Sequence, residues 1–267
     1  MTSPDARYRA VTDEVAERAN RGDWDAEADA YQEEHGEFLR DVGFIWCPEG
    51  LDEAQARLLG DVSGRRVLEV GCGAGQCARW LTAEGAEAIG FDLSLRQLQH
   101  SRRIDDATSV AVPVVCASAS RMPFADDSFD LACSAFGALP FVVDIATVLA
   151  EVVRVVRPGG SFAFSVVHPV RRMFPDDPTT HGLTVVRPYF DRTAYVEVDD
   201  DGDVTYAEPH HTLGDWVGAI TSAGLTLEAL HEPEWPPAHG RVWGGWGPER
   251  GAFLPGTVVF VTRVAVP

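Results

Sequence analysis

From Val11 to Phe38 the chain is polar and helix-friendly, with Val15, Ala19, Ala28, Tyr31 and Phe38 spaced as contact points, which predicts an N-terminal helical segment laid over a core. The pattern changes at Ser63. There the turn SGRR feeds the short apolar run VLEV and then the Gly-rich GCGAG, a strand ending in a tight turn. QCARWLTAEG follows as a helix with Gly85 just past its end, and AEAIGFD as a second short strand. The alternation continues with SLRQLQHSRR as a helix, VAVPVVCA and FDLACSAF as strands, DIATVLAEVVRVVRPGG as a helix closed by Pro-Gly-Gly, and SFAFSVVHP as a strand. Strands alternating with helices at this spacing form a parallel sheet covered on both faces, a doubly wound α/β architecture.

After His168 the alternation breaks. Residues 169–212 form an insert rich in Pro, Asp and aromatic residues, with one hairpin, TAYVEV-DDDGD-VTYAE. Core-like patterning returns with TLGDWVGAITSAG as a helix and LTLEALHEP as a strand, then a long Trp/Pro/Gly loop and GTVVFVTRVAVP as the last strand. The expected organisation is a helical cap over residues 1–62 and one domain over 63–267 that carries the insert on its substrate side.

Composition narrows the partners. At 267 residues, with 45% hydrophobic and 24% charged, the chain suits one large globular core with additions. The formal charge is −19, and all 22 basic residues are Arg. Such a surface repels phosphate backbones and anionic lipid, so no nucleic-acid or membrane partner is expected. Without Lys, Schiff-base and lysine-base chemistry is excluded. The five cysteines, Cys47, Cys72, Cys77, Cys116 and Cys133, have no CxxC spacing and read as reduced, buried thiols. MTSPDARYRA has no apolar signal region and no apolar stretch reaches membrane-span length, so the cytoplasm is the expected location.

The chemistry centres on VLEVGCGAG, from Val67 to Gly75, and on Phe91-Asp92 at the end of the second strand. Gly71, Gly73 and Gly75 let the first βα turn fold tightly and bring backbone N–H groups against a ligand. Glu69 precedes the turn, and Asp92 crowns the neighbouring strand, where an acid can accept both hydroxyls of a ribose. A dinucleotide-binding protein is the obvious competitor, but its fingerprint needs a third Gly at position 76, which is Gln76.

At these residues the chain resembles the class I S-adenosylmethionine-dependent methyltransferases, in the small-molecule branch that includes quinone biosynthesis. The resemblance runs from about Ser63 to Val167 through four blocks in order: EVGCGAG, FDLS, RMPFADDSFD and RVVRPGGSF. It implies a Rossmann-like, seven-stranded, mostly parallel sheet with the last strand reversed. Glu69, Gly71, Cys72, Gly73 and Gly75 would line the methionine side of S-adenosyl-L-methionine, Asp92 would hold the ribose, and Leu93 would pack on the adenine. The family's acid for the adenine amino group is replaced by Ser118, beside Ala119, and a hydroxyl can still accept one hydrogen bond. Ser134 and Ala135 would face the sulfonium. The implied reaction is in-line methyl transfer to O, N or C of a small molecule. A non-catalytic adenosyl-ligand-binding protein on the same fold is the alternative, and a dehydrogenase is a distant third.

Other residues are open to two readings. His168, at the end of the fifth strand, and His211, with His210 at the return of the insert, are candidate general bases or plain structural anchors. Trp24, Tyr31 and Trp46 can face a sulfonium from a lid or simply pack. The loop holding Trp235, Trp243 and Trp246 is a pocket wall, a homodimer contact or a packed surface loop. Glu197, Asp199, Asp201, Gly202 and Glu208 match the spacing of a calcium loop, but their strand-like flanks favour a hairpin turn, and no metal site is expected.

Overall fold

The run Val67-Leu68-Glu69-Val70 is buried at every position, as required of a strand covered on both faces. It forms β2 (Arg66–Val70), an interior strand of a seven-stranded sheet in a computed structural model that describes residues 7–266. The first six residues of the expected cap and Pro267 of the expected domain lie outside the described residues. Parallel partners of β2 are β3 (Glu87–Asp92) and β5 (Phe129–Ala135), flanked by β4 (Val114–Cys116) and β6 (Val156–Val167). On the far side β10 (Thr257–Val264) runs antiparallel to both β6 and β9 (Leu225–His231), giving the order β4-β3-β2-β5-β6-β10-β9. This is the expected sheet with its reversed last strand.

The two faces carry separate cores. Leu68 and Val70 point with Phe162, Phe164 and Phe260 toward α5 (Ile145–Val155) and α6 (Leu213–Ser222). Val67, Leu131 and Ala163 point the other way, toward Trp46, Trp80 and Leu81, the last two on α3 (Gln76–Ala83). The remaining connection on the sheet is α4 (Leu95–Thr108). Cys47, Cys72 and Cys133 are buried as expected, whereas Cys77 is half-buried and Cys116, on the edge strand β4, is exposed.

One boundary differs from expectation. The helix read through to Pro-Gly-Gly stops at Val155, and β6 begins at Val156. Pro158 disfavours helical backbone before it. Gly160 then lies so close to β5 that a Cβ would come 2.6 Å from the Asp130 carbonyl oxygen. These residues bend the start of a strand instead of closing a helix.

One helix and a small three-stranded sheet stand over the carboxyl ends of the parallel strands. The N-terminal segment is one helix, α1 (Asp13–Leu39), capped by Thr12. The hairpin of the insert is present as β7 (Ala194–Val198) and β8 (Val204–Glu208), joined by β1 (Tyr8–Arg9), which the pattern does not announce. Glu197 and Glu208 of the calcium-like spacing sit on these paired strands. Short helices α2 (Glu53–Ala56) and α7 (Pro248–Gly251) and three 3-10 turns, at Leu139–Phe141, Pro169–Met173 and Thr180–Leu183, complete the described elements. Among the described residues no helix is long and apolar enough to cross a membrane.

Candidate active site

The turn after β2 holds Gly71, Gly73 and Gly75 at φ of +70°, +52° and +74°, a left-handed conformation that disfavours a Cβ. At Gly71 space is the stricter limit, since a Cβ would meet Ala138 N at 2.2 Å. Asp92 ties the turn to the next strand: its Oδ2 accepts from Gly73 N–H at 2.8 Å and its Oδ1 from Ser94 N–H at 2.8 Å. Burial raises the Asp92 pKa, and those N–H groups oppose the rise. Glu69 is buried, with Oε2 accepting from Ala78 N–H at 2.7 Å where α3 begins. Burial pushes its pKa up to about 8.

These groups border one cavity. Of the residues expected to bind the cofactor, Glu69, Gly71, Cys72, Gly73, Asp92, Leu93, Ser118, Ala119 and Ala135 line it. Gly75 and Ser134 do not. Gly75 caps α3, and the Ser134 hydroxyl donates to the Val70 carbonyl at 2.7 Å, inside the sheet. The cavity wall carries the carboxylates Asp13, Glu17, Glu69 and Asp92 and no Arg, Lys or His. Such a lining suits a ligand with positive charge.

Helix α1 supplies what the sequence reading missed. Glu17 lines the cavity, and its Oε2 accepts from the Ser118 hydroxyl at 2.6 Å, so a carboxylate stands where Ser118 had left none. Gln32 bonds Gln97 at 3.0 Å and accepts from Gln76 at 2.9 Å, closing α1 onto α4 and α3. The Ser94 hydroxyl donates to Asp25 at 2.6 Å. The only advance signal was the missing acid at Ser118.

A second cavity, of about 1010 Å³, adjoins the first. Trp24, Tyr31, Phe136 and Phe141 border both. Phe136 is held at φ +50°, with its N–H donating to Ser165 Oγ at 3.0 Å. Holding a bulky residue there costs on the order of 1–3 kcal/mol, which fixes a phenyl ring between the two spaces. Trp46, Trp243 and Trp246 belong to the second cavity, while Trp235 packs with its indole N–H on the His239 carbonyl at 2.7 Å.

The histidines sit elsewhere. His168 Nδ1 accepts from Val170 N–H at 3.2 Å, capping the short turn Pro169–Met173, and its Nε2 lies 2.9 Å from Glu232. His211 Nε2 meets the Val142 carbonyl at 2.9 Å, and His210 Nε2 the Tyr189 carbonyl at 2.8 Å. His210 and His211 line a small cleft beside Trp216, His168 adjoins that cleft through Val167 and Pro169, and none of the three lines either larger cavity. Burial lowers the pKa of each.

Residues 68–164 match the methyltransferase domain family. A demethylmenaquinone methyltransferase of Mycobacterium sp. (strain KMS) is 41% identical over 102 residues, which is 38% of this chain and 41% of that protein. A ubiquinone biosynthesis O-methyltransferase of Alkalilimnicola ehrlichii is 33% identical over 173 residues, 63% of this chain and 66% of that one. The chain thus matches less than half the length of the first of these relatives. Among solved structures, an S-adenosylmethionine dependent methyltransferase from Mesorhizobium loti superimposes with a TM-score of 0.64 at 25% identity, covering 81% of this chain and 98% of its own. Sheet order, Gly-rich turn and acid-lined cavity define the class I methyltransferase architecture. Residues 68–164 thus form a methyltransferase domain, on the fold that the chain shares with S-adenosylmethionine-dependent methyltransferases.

Proposed function

We propose that the protein moves the methyl group of S-adenosylmethionine to an O, N or C atom of a small molecule held in the second cavity. The observation that carries this reading is the pair of adjoining cavities, one walled by acids and the other by aromatic rings, meeting at Trp24, Tyr31, Phe136 and Phe141. The cofactor, when bound, supplies a methyl group activated by positively charged sulfur. Asp92 has lone pairs left after its two backbone bonds and accepts from ribose hydroxyls. Glu69, which burial on its own holds protonated near neutral pH, faces the ammonium end, and that positive charge favours its ionised form. Glu17, positioned by Ser118, accepts from the purine amino group. The shared aromatic wall keeps water from the reacting atoms and favours cationic sulfur. Alignment of the two reactants contributes on the order of 7–11 kcal/mol.

The test is calorimetric titration with S-adenosylmethionine, S-adenosylhomocysteine and NAD. Both adenosyl ligands bind and NAD does not. Asp92→Ala weakens them at least tenfold, and Glu17→Gln narrows the preference for S-adenosylhomocysteine over its inosine analogue. Binding of NAD alone, or of nothing, sinks the reading.

A further inference from the structure

The second cavity carries information about the acceptor itself. In a chain of charge −19 it is the cationic exception, lined by Arg7, Arg171, Arg172 and Arg187 against Asp176, Glu197 and Glu208. Arg171 pairs with Asp176 and Arg172 with Glu208, and their side chains are only 12% and 11% exposed. Each guanidinium has five N–H donors, more than one carboxylate can satisfy. Arg171 Nε is buried and has no hydrogen-bond partner among the described residues. That atom is closed off from the chamber, but Arg171 bonds Asp176 through Nη2 alone, so other N–H groups of the guanidinium remain for an acceptor atom in the chamber.

The rest of the wall is flat and aromatic. Tyr195, Tyr206, Trp243 and Trp246 surround the space, and the Arg171 guanidinium lies 5.0 Å from the Trp246 ring centroid. At about 1010 Å³ the chamber exceeds the usual size for a small metabolite and admits a fused-ring or ring-plus-chain molecule. Among the described residues the chamber is lined by no imidazole, and the chain has no Lys. Glu208 does not replace them well: burial resists its ionisation, but Arg172 and Arg171 outweigh that and hold its pKa below the usual range.

Resting on the methyltransferase reading above, we propose that the acceptor is a planar conjugated molecule carrying a negative charge, stacked among these rings with its anionic group on the Arg171 and Arg172 side. A carboxylate or ionised ring hydroxyl completes the donors that Asp176 and Glu208 leave free. A neutral ring of the same size fills the space but leaves them unmet, and a cationic one is repelled.

The test titrates the full-length protein, saturated with S-adenosylhomocysteine, with 1-hydroxy-2-naphthoate, 2-naphthol and 2-naphthylmethylammonium. The acid binds at least tenfold more tightly than naphthol, about 1.4 kcal/mol, and the ammonium binds most weakly. Arg171→Gln closes most of that gap while S-adenosylhomocysteine affinity holds. Asp176→Asn, which keeps the cation and removes its partner, widens the gap and guards against a folding defect in the first variant. Equal affinity for acid and naphthol, preference for the ammonium, a gap unmoved by both variants, or no binding of any probe overturns the proposal. If S-adenosylhomocysteine itself does not bind, the methyltransferase reading fails separately, and the same probes titrated alone still decide the charge preference of the chamber.

Discussion

Glu69 shows how much one side chain can report. It sits inside a strand with a single backbone donor, and burial raises its pKa from near 4.5 to about 8. The folded protein therefore holds a proton that the unfolded chain releases, so the Glu69 contribution to folding stability is greatest below about pH 4.5 and is lost as pH rises toward 8. Glu69→Gln keeps an oxygen for Ala78 N–H and removes the titration. Its thermal midpoint is expected to vary less with pH across that window than the wild-type midpoint, as followed by circular dichroism, and parallel profiles would mean that Glu69 stays ionised in the fold. At this scale Glu69 and Asp92 were legible because their place beside a Gly-rich turn is set by local sequence. Glu17 was not, because it stands 101 residues from Ser118 and only the tertiary fold joins them.

Among elements, α1 is held by polar contacts more than by oil. Its buried positions are Ala16, Ala19, Asn20, Ala28 and His35, a thin apolar face for 27 residues. Asn20 behaves as a strand partner: its amide nitrogen donates to the Ala207 carbonyl at 2.9 Å, and its oxygen accepts from Ala207 N–H at 2.8 Å. Asn20→Ala strands both backbone groups of a buried residue, at about 1–3 kcal/mol for each. We expect a lower denaturant midpoint and faster amide exchange at Ala207, with adenosyl affinity falling as Glu17 loses its support. An unchanged midpoint would show that water replaces the amide. The central strands were legible from their unbroken apolar runs. The two-residue β1 was not, since nothing so short has a period. The end of α5 was misplaced because the apolar run passes through the boundary without a break: Val152, Val153, Val155 and Val156 suit a buried helix face or a strand equally.

At the scale of the whole molecule, both cavities lie where the parallel strands end, the place open α/β sheets offer to ligands. The cofactor side draws on consecutive βα units and could be read from the sequence in order. The second cavity draws on α1, the insert and the Trp loop, from Arg7 to Trp246, so its chemistry emerges only on folding. The assembly also gathers Trp24, Trp46, Trp243 and Trp246 around the chamber and leaves Trp80, Trp216 and Trp235 outside it. Only Trp24 reaches the cofactor cavity. The Trp placement predicts an optical gauge with two separable readings: adenosyl ligands are expected to perturb ultraviolet emission slightly, and an acceptor bound in the second cavity to perturb it strongly. Replacing Trp243 and Trp246 with Phe is expected to silence most of the second signal, and an acceptor that leaves the emission of the wild-type protein untouched is bound somewhere other than this chamber.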